Sequence, residues 1–132
     1  MFIKPLHVGI SVNSLDESIE WYDKNLDFKL VSRQHVPFLD ANLAFLKNGD
    51  MQIELFEYKE PRPLPADRNH PDEDIKTIGT KHVAFGTDDL QQLLARFRGN
   101  GVDIVFEKVT EGMPLCYVRD NSGVLIEFIQ VR

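Results

Sequence analysis

The 132-residue sequence contains a single cysteine, Cys116, which excludes an internal disulfide and any cysteine-rich zinc site. Basic residues are not in excess. Fifteen Lys and Arg stand against 21 Asp and Glu, for a formal net charge of −6. A nucleic-acid binder needs a basic face to meet phosphate, so that class of partner is not expected. No apolar run approaches the ~20 residues that a membrane helix requires. The opening stretch MFIKPLHVGISV has no basic n-region, long apolar h-region or small-residue cleavage site. These absences lead to the expectation of a cytoplasmic protein with neither membrane nor nucleic-acid partners. With 42% hydrophobic and 27% charged residues, the chain has the balance of an ordinary globular domain, long enough to bury a core without staples.

What the sequence does have is a repeat. Placing His7 over His82 aligns HVGISVNSLDESIEWYDKNLDF with HVAFGTDDLQQLLARFRGNGVD, and later NGDMQIELF with NSGVLIEFI. The Ile-Glu pair recurs as Ile53-Glu54 and Ile126-Glu127, 47 and 45 residues after the respective histidines. A long period present only twice points to a duplicated module rather than a solenoid. One domain is expected over 1–132, with module one at about 1–58, a linker at about 59–79 and module two at about 80–132.

Each half reads as strand, helix, then three strands. Residues 5–12 alternate as a strand. Ser14 with Glu17 opens a capping box before an amphipathic stretch through Asn25, with Leu15, Ile19, Tyr22 and Leu26 on one face. Strands are expected at 28–36, stopped by Pro37, at 42–47 and at 51–58, with a hairpin signal at Asn48-Gly49. In the second half the expected elements are a strand at 80–87, a helix opened by Asp88 or Asp89, and a stop at Gly99-Asn100-Gly101. Strands follow near 102–108, 114–119 and 124–131, with Asp120-Asn121-Ser122-Gly123 as the last turn. Between the halves, EPRPLPADRNHPDEDIKTIG holds four prolines. It reads either as an irregular connection or as a lid supplying Arg62, Arg68 or His70 to a ligand.

Four residues stand out: His7, Glu54, His82 and Glu127. Each falls within a strand pattern, at matching places in the two halves. Glu127 shares its face with Leu125 and Ile129, a costly setting for a carboxylate unless a cation meets it. Gly9 and Ser11 lie on the face of His7, and Ala84 and Gly86 on that of His82; these small side chains leave room for a ligand. Two imidazoles and two carboxylates form an N/O donor set suited to Zn, Ni, Co, Mn or Fe(II). His35 and His70 lack counterparts in the other half and are read as ordinary surface or core residues. Arg33 and His35 share a strand face that could meet an anionic substrate or simply water. Arg119 is expected in solvent, Cys116 as a small buried apolar residue, and Trp21 and Tyr22 as packing residues. Phe38, Phe45 and Phe56 could line a pocket or fill the core.

The segments HVGISVNSLDESIEWY, MQIELFEY, KHVAFGTDDL and NSGVLIEF, in this order and spacing, resemble the vicinal oxygen chelate superfamily. That superfamily holds glyoxalase I, methylmalonyl-CoA epimerase, extradiol dioxygenases and the fosfomycin and bleomycin resistance proteins. The resemblance implies an α+β fold of two tandem βαβββ modules. Their strands would form a curled, mostly antiparallel eight-stranded sheet around one divalent metal ion. It implies a homodimer, sometimes with modules paired across chains. The family's ligand positions fall on His7, Glu54, His82 and Glu127, a full set like that of bacterial glyoxalase I and close to that of methylmalonyl-CoA epimerase. The function so implied is a lyase or isomerase that moves a proton next to a metal-chelated carbonyl through an enediolate. Glu127 is the first candidate for the base and Glu54 the second. The alternatives are an Fe(II)-dependent extradiol-type dioxygenase and a non-catalytic drug-binding resistance protein. The chain departs from glyoxalase I at Ser11 and Tyr58, where that resemblance calls for an Arg and an Asn that contact glutathione.

Overall fold

The computed structural model describes residues 1–109 and 112–131. It divides into two compact units, Met1–Arg62 and Pro63–Arg132.

In the first unit, β1 (Val8–Val12) leads into α1 (Leu15–Leu26), followed by β2 (Lys29–Val36), β3 (Ala41–Asn48) and β4 (Met51–Tyr58). The sheet order is β1-β4-β3-β2. Only β1 against β4 runs parallel, because the connection between β1 and the hairpins carries the helix. Ser14 caps α1, its Oγ accepting the Glu17 N–H. The hairpin falls one residue later than the Asn48-Gly49 signal suggests. Asn48 pairs with Met51, so Gly49 (φ 57) and Asp50 make the turn. Asn48 instead donates its side-chain amide to the Leu26 carbonyl at the end of α1.

The helix covers one face of this sheet. Leu15, Tyr22 and Leu26 are buried there, as are Ile10, Val12, Ala44, Leu46, Ile53 and Leu55 from the strands. The helical face is more polar than its periodicity suggests. Ser18 and Asn25 are buried in it, while Ile19 is only half-buried.

The second unit repeats the plan with β5 (Val83–Thr87), α3 (Leu90–Gly99), β6 (Asp103–Lys108), β7 (Leu115–Arg119) and β8 (Leu125–Gln130), in the order β5-β8-β7-β6. Asp89 is the N-cap, accepting from Gln92 N–H at 2.9 Å. Leu90, Leu94 and Phe97 of α3 are buried, together with Cys116, Val118, Ile126 and Phe128. The rings of Phe97 and Phe128 lie 5.3 Å apart. Asp120 organises the last turn, Oδ1 accepting the N–H groups of Ser122 and Val124 while Gly123 takes φ 90.

Two expectations need correction. The ladders close within each unit as two four-stranded mixed sheets, not one eight-stranded sheet. The first strands are also shorter than alternation implied. β1 begins at Val8 and β5 at Val83, so His7 and His82 stand one residue before their strands rather than inside them. For β5 the cause is visible: Arg68 binds the Thr80 carbonyl, and Lys81 turns its ammonium to the carbonyls of Asp74 and Thr77. Those residues are held away from the ladder.

The linker is not structureless. A 3-10 turn (Ala66–Arg68) and a one-turn helix α2 (Pro71–Asp74) form within it. The segment is held to the second unit by a buried ion cluster. Asp74 is 1% exposed, and its Oδ1 takes Arg68 Nε at 3.1 Å and Lys81 Nζ at 3.2 Å. Arg119 Nε and Nη2 donate to the Asn69 carbonyl, and its Nη1 to Asp103. Arg119 is thus a clamp rather than a solvated side chain.

Candidate metal centre

The strand registers put His7 and Glu54 on the sheet face opposite α1. Glu54 pairs with Gly9 on one side and Phe45 on the other, and His7 precedes Gly9 by two residues. His7 Nε2 lies 3.4 Å from Glu54 Oε1. The second unit builds the same arrangement. Glu127 pairs with Ala84 and with Tyr117, and His82 Nε2 lies 3.2 Å from Glu127 Oε1. The side chains are partly shielded, with Glu54 17% and Glu127 12% exposed.

Room beside the first pair comes from a missing side chain, whereas in the second unit Ala84 stands beside Glu127 and a Cβ on Gly86 would meet Val131 at 2.7 Å. A Cβ on Gly9 would sit 3.2 Å from Phe56 Cε2 and 3.8 Å from Glu54 Oε1. Any larger residue would press first on the Phe56 ring. Each imidazole meets an aromatic edge at matching register positions: His7 against Phe45 at 5.5 Å and 79°, His82 against Tyr117 at 5.0 Å and 80°. Edge-to-face contact holds a ring without occupying its nitrogens.

The donor chemistry fits a divalent ion that prefers nitrogen and oxygen. Each unit brings an imidazole Nε2 and a carboxylate oxygen together, at 3.4 and 3.2 Å, within a setting where a lone carboxylate is costly. Among the described residues no group of three or more His, Cys, Asp or Glu side chains is placed to hold a metal ion. Each unit provides one His-Glu pair.

Tyr117 was not singled out by the sequence, yet it is an aromatic neighbour of both members of the second pair. It pairs in register with Glu127, and its ring meets His82 edge-on at 5.0 Å. Burial, then the Glu127 charge, push its pKa up to about 12. Its neighbour Cys116 points to the helix-covered side, opposite Phe128. Burial, followed by the charges of Glu107 and Glu127, raises the thiol to about 12, so Cys116 is the inert packing residue its sequence context suggests.

Other flagged residues lie elsewhere. Arg33 pairs in register with Ala44, and His35 with Asn42, which places both on the α1 side of the sheet, away from Glu54. Arg33 Nη1 binds Asp16 at 2.6 Å, and His35 Nδ1 lies 3.1 Å from Asn42 Oδ1. They do not face the His7–Glu54 pair. In the linker, Arg68 is engaged by Asp74 and His70 by Asp72. Phe38 is exposed, whereas Phe45 and Phe56 flank the first pair.

Residues 4–128 match the model of the Glyoxalase/Bleomycin resistance protein/Dioxygenase superfamily. The chain belongs to this superfamily. It is similar to a lactoylglutathione lyase of Neisseria meningitidis, at 28% identity over 131 residues, covering 95% of this chain and 88% of the relative. Among solved structures it is similar to the trypanothione-dependent glyoxalase I of Leishmania major (TM-score 0.77, 28% identity, 98% of this chain and 87% of that one). It shares the fold of a fosfomycin resistance protein of Listeria monocytogenes, solved with Mn(II) and sulfate (TM-score 0.71, 13% identity, 100% and 95% covered). The protein is therefore a distant relative of glyoxalase I within a superfamily whose members include metal-binding proteins. Among the described residues no helix is long and apolar enough to cross a membrane.

Proposed function

We propose that this protein is a divalent-metal-dependent lyase or isomerase that moves a proton on the carbon next to a chelated carbonyl. His7, Glu54, His82 and Glu127 together would hold one ion, Zn, Ni, Co, Mn or Fe. The two modules would curl around it as a single domain, in one chain or between the copies of a homodimer. A small molecule with two neighbouring oxygens is the substrate class, and a cytoplasmic setting accompanies this reading. The observation that carries it is the repeated pair, Nε2 against Oε1 at 3.4 and 3.2 Å, at matching positions of a duplicated module.

The bound ion would supply Lewis-acid polarisation of the substrate's oxygens. The chain's own groups do the rest. The imidazoles hold their positions against Phe45 and Tyr117. One carboxylate, Glu127 or Glu54, accepts the proton from carbon and delivers it to the adjoining atom. The named lyase relatives support this class of reaction. Ser11 and Tyr58 offer neither the guanidinium nor the amide expected for glutathione, so the proposal stops at a chelating carbonyl and does not name the thiol.

The test is metal analysis of the purified protein beside Glu54→Ala and Glu127→Ala. Roughly one ion per set of four donors is expected in the parent, with weaker retention in both variants. Equal retention in all three would end the assignment. Solvent deuterium exchange into hemithioacetals and 2-substituted acyl thioesters then reads the chemistry. Oxygen uptake with a catechol and no exchange would instead favour the Fe(II) dioxygenase reading. Drug binding without metal would favour the resistance protein.

A further inference from the structure

The segment between the two modules is tied to the chain just ahead of His82. Arg68 bridges the two, with Nε on Asp74 Oδ1 at 3.1 Å and Nη2 on the Thr80 carbonyl at 2.6 Å. The Lys81 ammonium donates to Asp74 Oδ1 at 3.2 Å and to the carbonyls of Asp74 and Thr77. Both cations thus meet on one oxygen of Asp74, while its Oδ2 is buried with no hydrogen-bond partner among the described residues. A buried ion cluster with an orphaned oxygen is a poor source of net stability. What it does fix is geometry. Residues 80 and 81 lie outside the β5 ladder, which starts at Val83, so these bonds hold the backbone that carries His82. The first module leads into its histidine differently, since residues 1–6 are exposed throughout.

We propose that Asp74 is a positioning residue: gripping Lys81 directly and Thr80 through Arg68, it sets the approach of the chain to His82, so that the imidazole stands against Glu127 before an ion arrives. This rests on the reading of His82 and Glu127 as metal ligands. The separation of 3.2 Å between His82 Nε2 and Glu127 Oε1 belongs to a side chain whose backbone precedes the ladder, so a shift at residues 80 and 81 passes directly to the ring. An ion binds tightly when its donors already stand near their bound positions, because any ordering left to the ion is subtracted from binding. The linker that the sequence offers as a lid is then a splint. Arg68 serves the site by holding backbone, not by touching substrate.

Nitrogen-15 NMR of the imidazoles in the full-length apo protein, followed by Co(II) titration read in visible absorption, tests this. The variants are Asp74→Asn and Lys81→Met, alone and combined with His7→Ala or His82→Ala. In the metal-free protein both substitutions are expected to shift or broaden the His82 resonances and to leave those of His7 in place. A general loosening of the fold would disturb both rings. That result, or no change at His82, would overturn the proposal. Both substitutions are expected to weaken Co(II) binding about tenfold in the parent and in His7→Ala, and to add no loss in His82→Ala. The same loss in both histidine backgrounds would count equally against the proposal. If Asp74→Asn fails to fold, Lys81→Met, which leaves Arg68 on Asp74, carries every measurement. If the parent itself takes up no Co(II), the metal reading falls and the proposal with it. Uptake by the parent with unchanged affinity in the variants leaves that reading standing and removes only the inference.

Discussion

The carboxylate of Glu57 accepts the backbone N–H of Leu15 at 2.7 Å, tying the last strand of the first unit to the start of its helix 42 residues earlier. Gln130 repeats the act on Leu90 at 2.8 Å. The first N–H groups of a helix have no partner within it, so these strand side chains complete what Ser14 and Asp89 begin. Glu57→Ala is expected to lower stability by about 1 kcal/mol, read as a lower midpoint of urea unfolding. Glu57→Gln keeps an acceptor, as Gln130 does naturally, and is expected to retain most of that stability. Equal losses in both variants would show that the charge, not the hydrogen bond, matters at this position.

Asp74 ties the linker to the second unit, and its titration sets an acid limit. Burial alone would raise its pKa, but the hydrogen bonds and charges of Arg68 and Lys81 outweigh that and hold the carboxyl below its ordinary value of 3.8. A depressed folded-state pKa contributes stability above the unfolded value and loses it as pH falls through the folded one. Asp74→Asn is expected to destabilise the protein at neutral pH by on the order of 3 kcal/mol, since it leaves two cations facing a buried site. The gap between parent and variant should close as pH drops below 3.8. Thermal unfolding from pH 7 to pH 2 follows it, and a gap that stays constant would rule out this role.

Gly9 is the space beside Glu54. Gly9→Val is expected to keep the fold, because a β-branched residue suits a strand, while pressing on Phe56 and the Glu54 carboxylate. Divalent-ion affinity should fall by about tenfold or more, with the far-ultraviolet circular dichroism unchanged. Full affinity in this variant would mean that the ion does not use that oxygen.

Much of this architecture was legible from residue order. The hairpin arm Met51–Tyr58 follows from the turn signal before it and the alternation through Leu55, and Ser14 and Asp89 mark their helices through cap chemistry. The repeated His-Glu spacing located both pairs that the fold brings together. Tyr117 stayed hidden for a specific reason. It stands ten residues before Glu127, whereas Phe45 stands nine before Glu54, so simple superposition of the halves does not align them; only the strand register does. The anchoring by Asp74 was equally invisible, because a helix of four residues is too short to show a period. The second module's first strand starts later than residue 80 because alternation carries no information on which carbonyls a nearby Arg or Lys will claim.

Each helix is closed by the last strand of its own module, so a substitution in one copy leaves the other copy's closure untouched. The copies have diverged under that freedom: an acid at 57 where an amide stands at 130, a phenyl at 45 where a phenol stands at 117. Such a molecule carries its own internal control. Exchanging side chains between matching positions asks what a single functional group contributes while the backbone around it stays nearly constant.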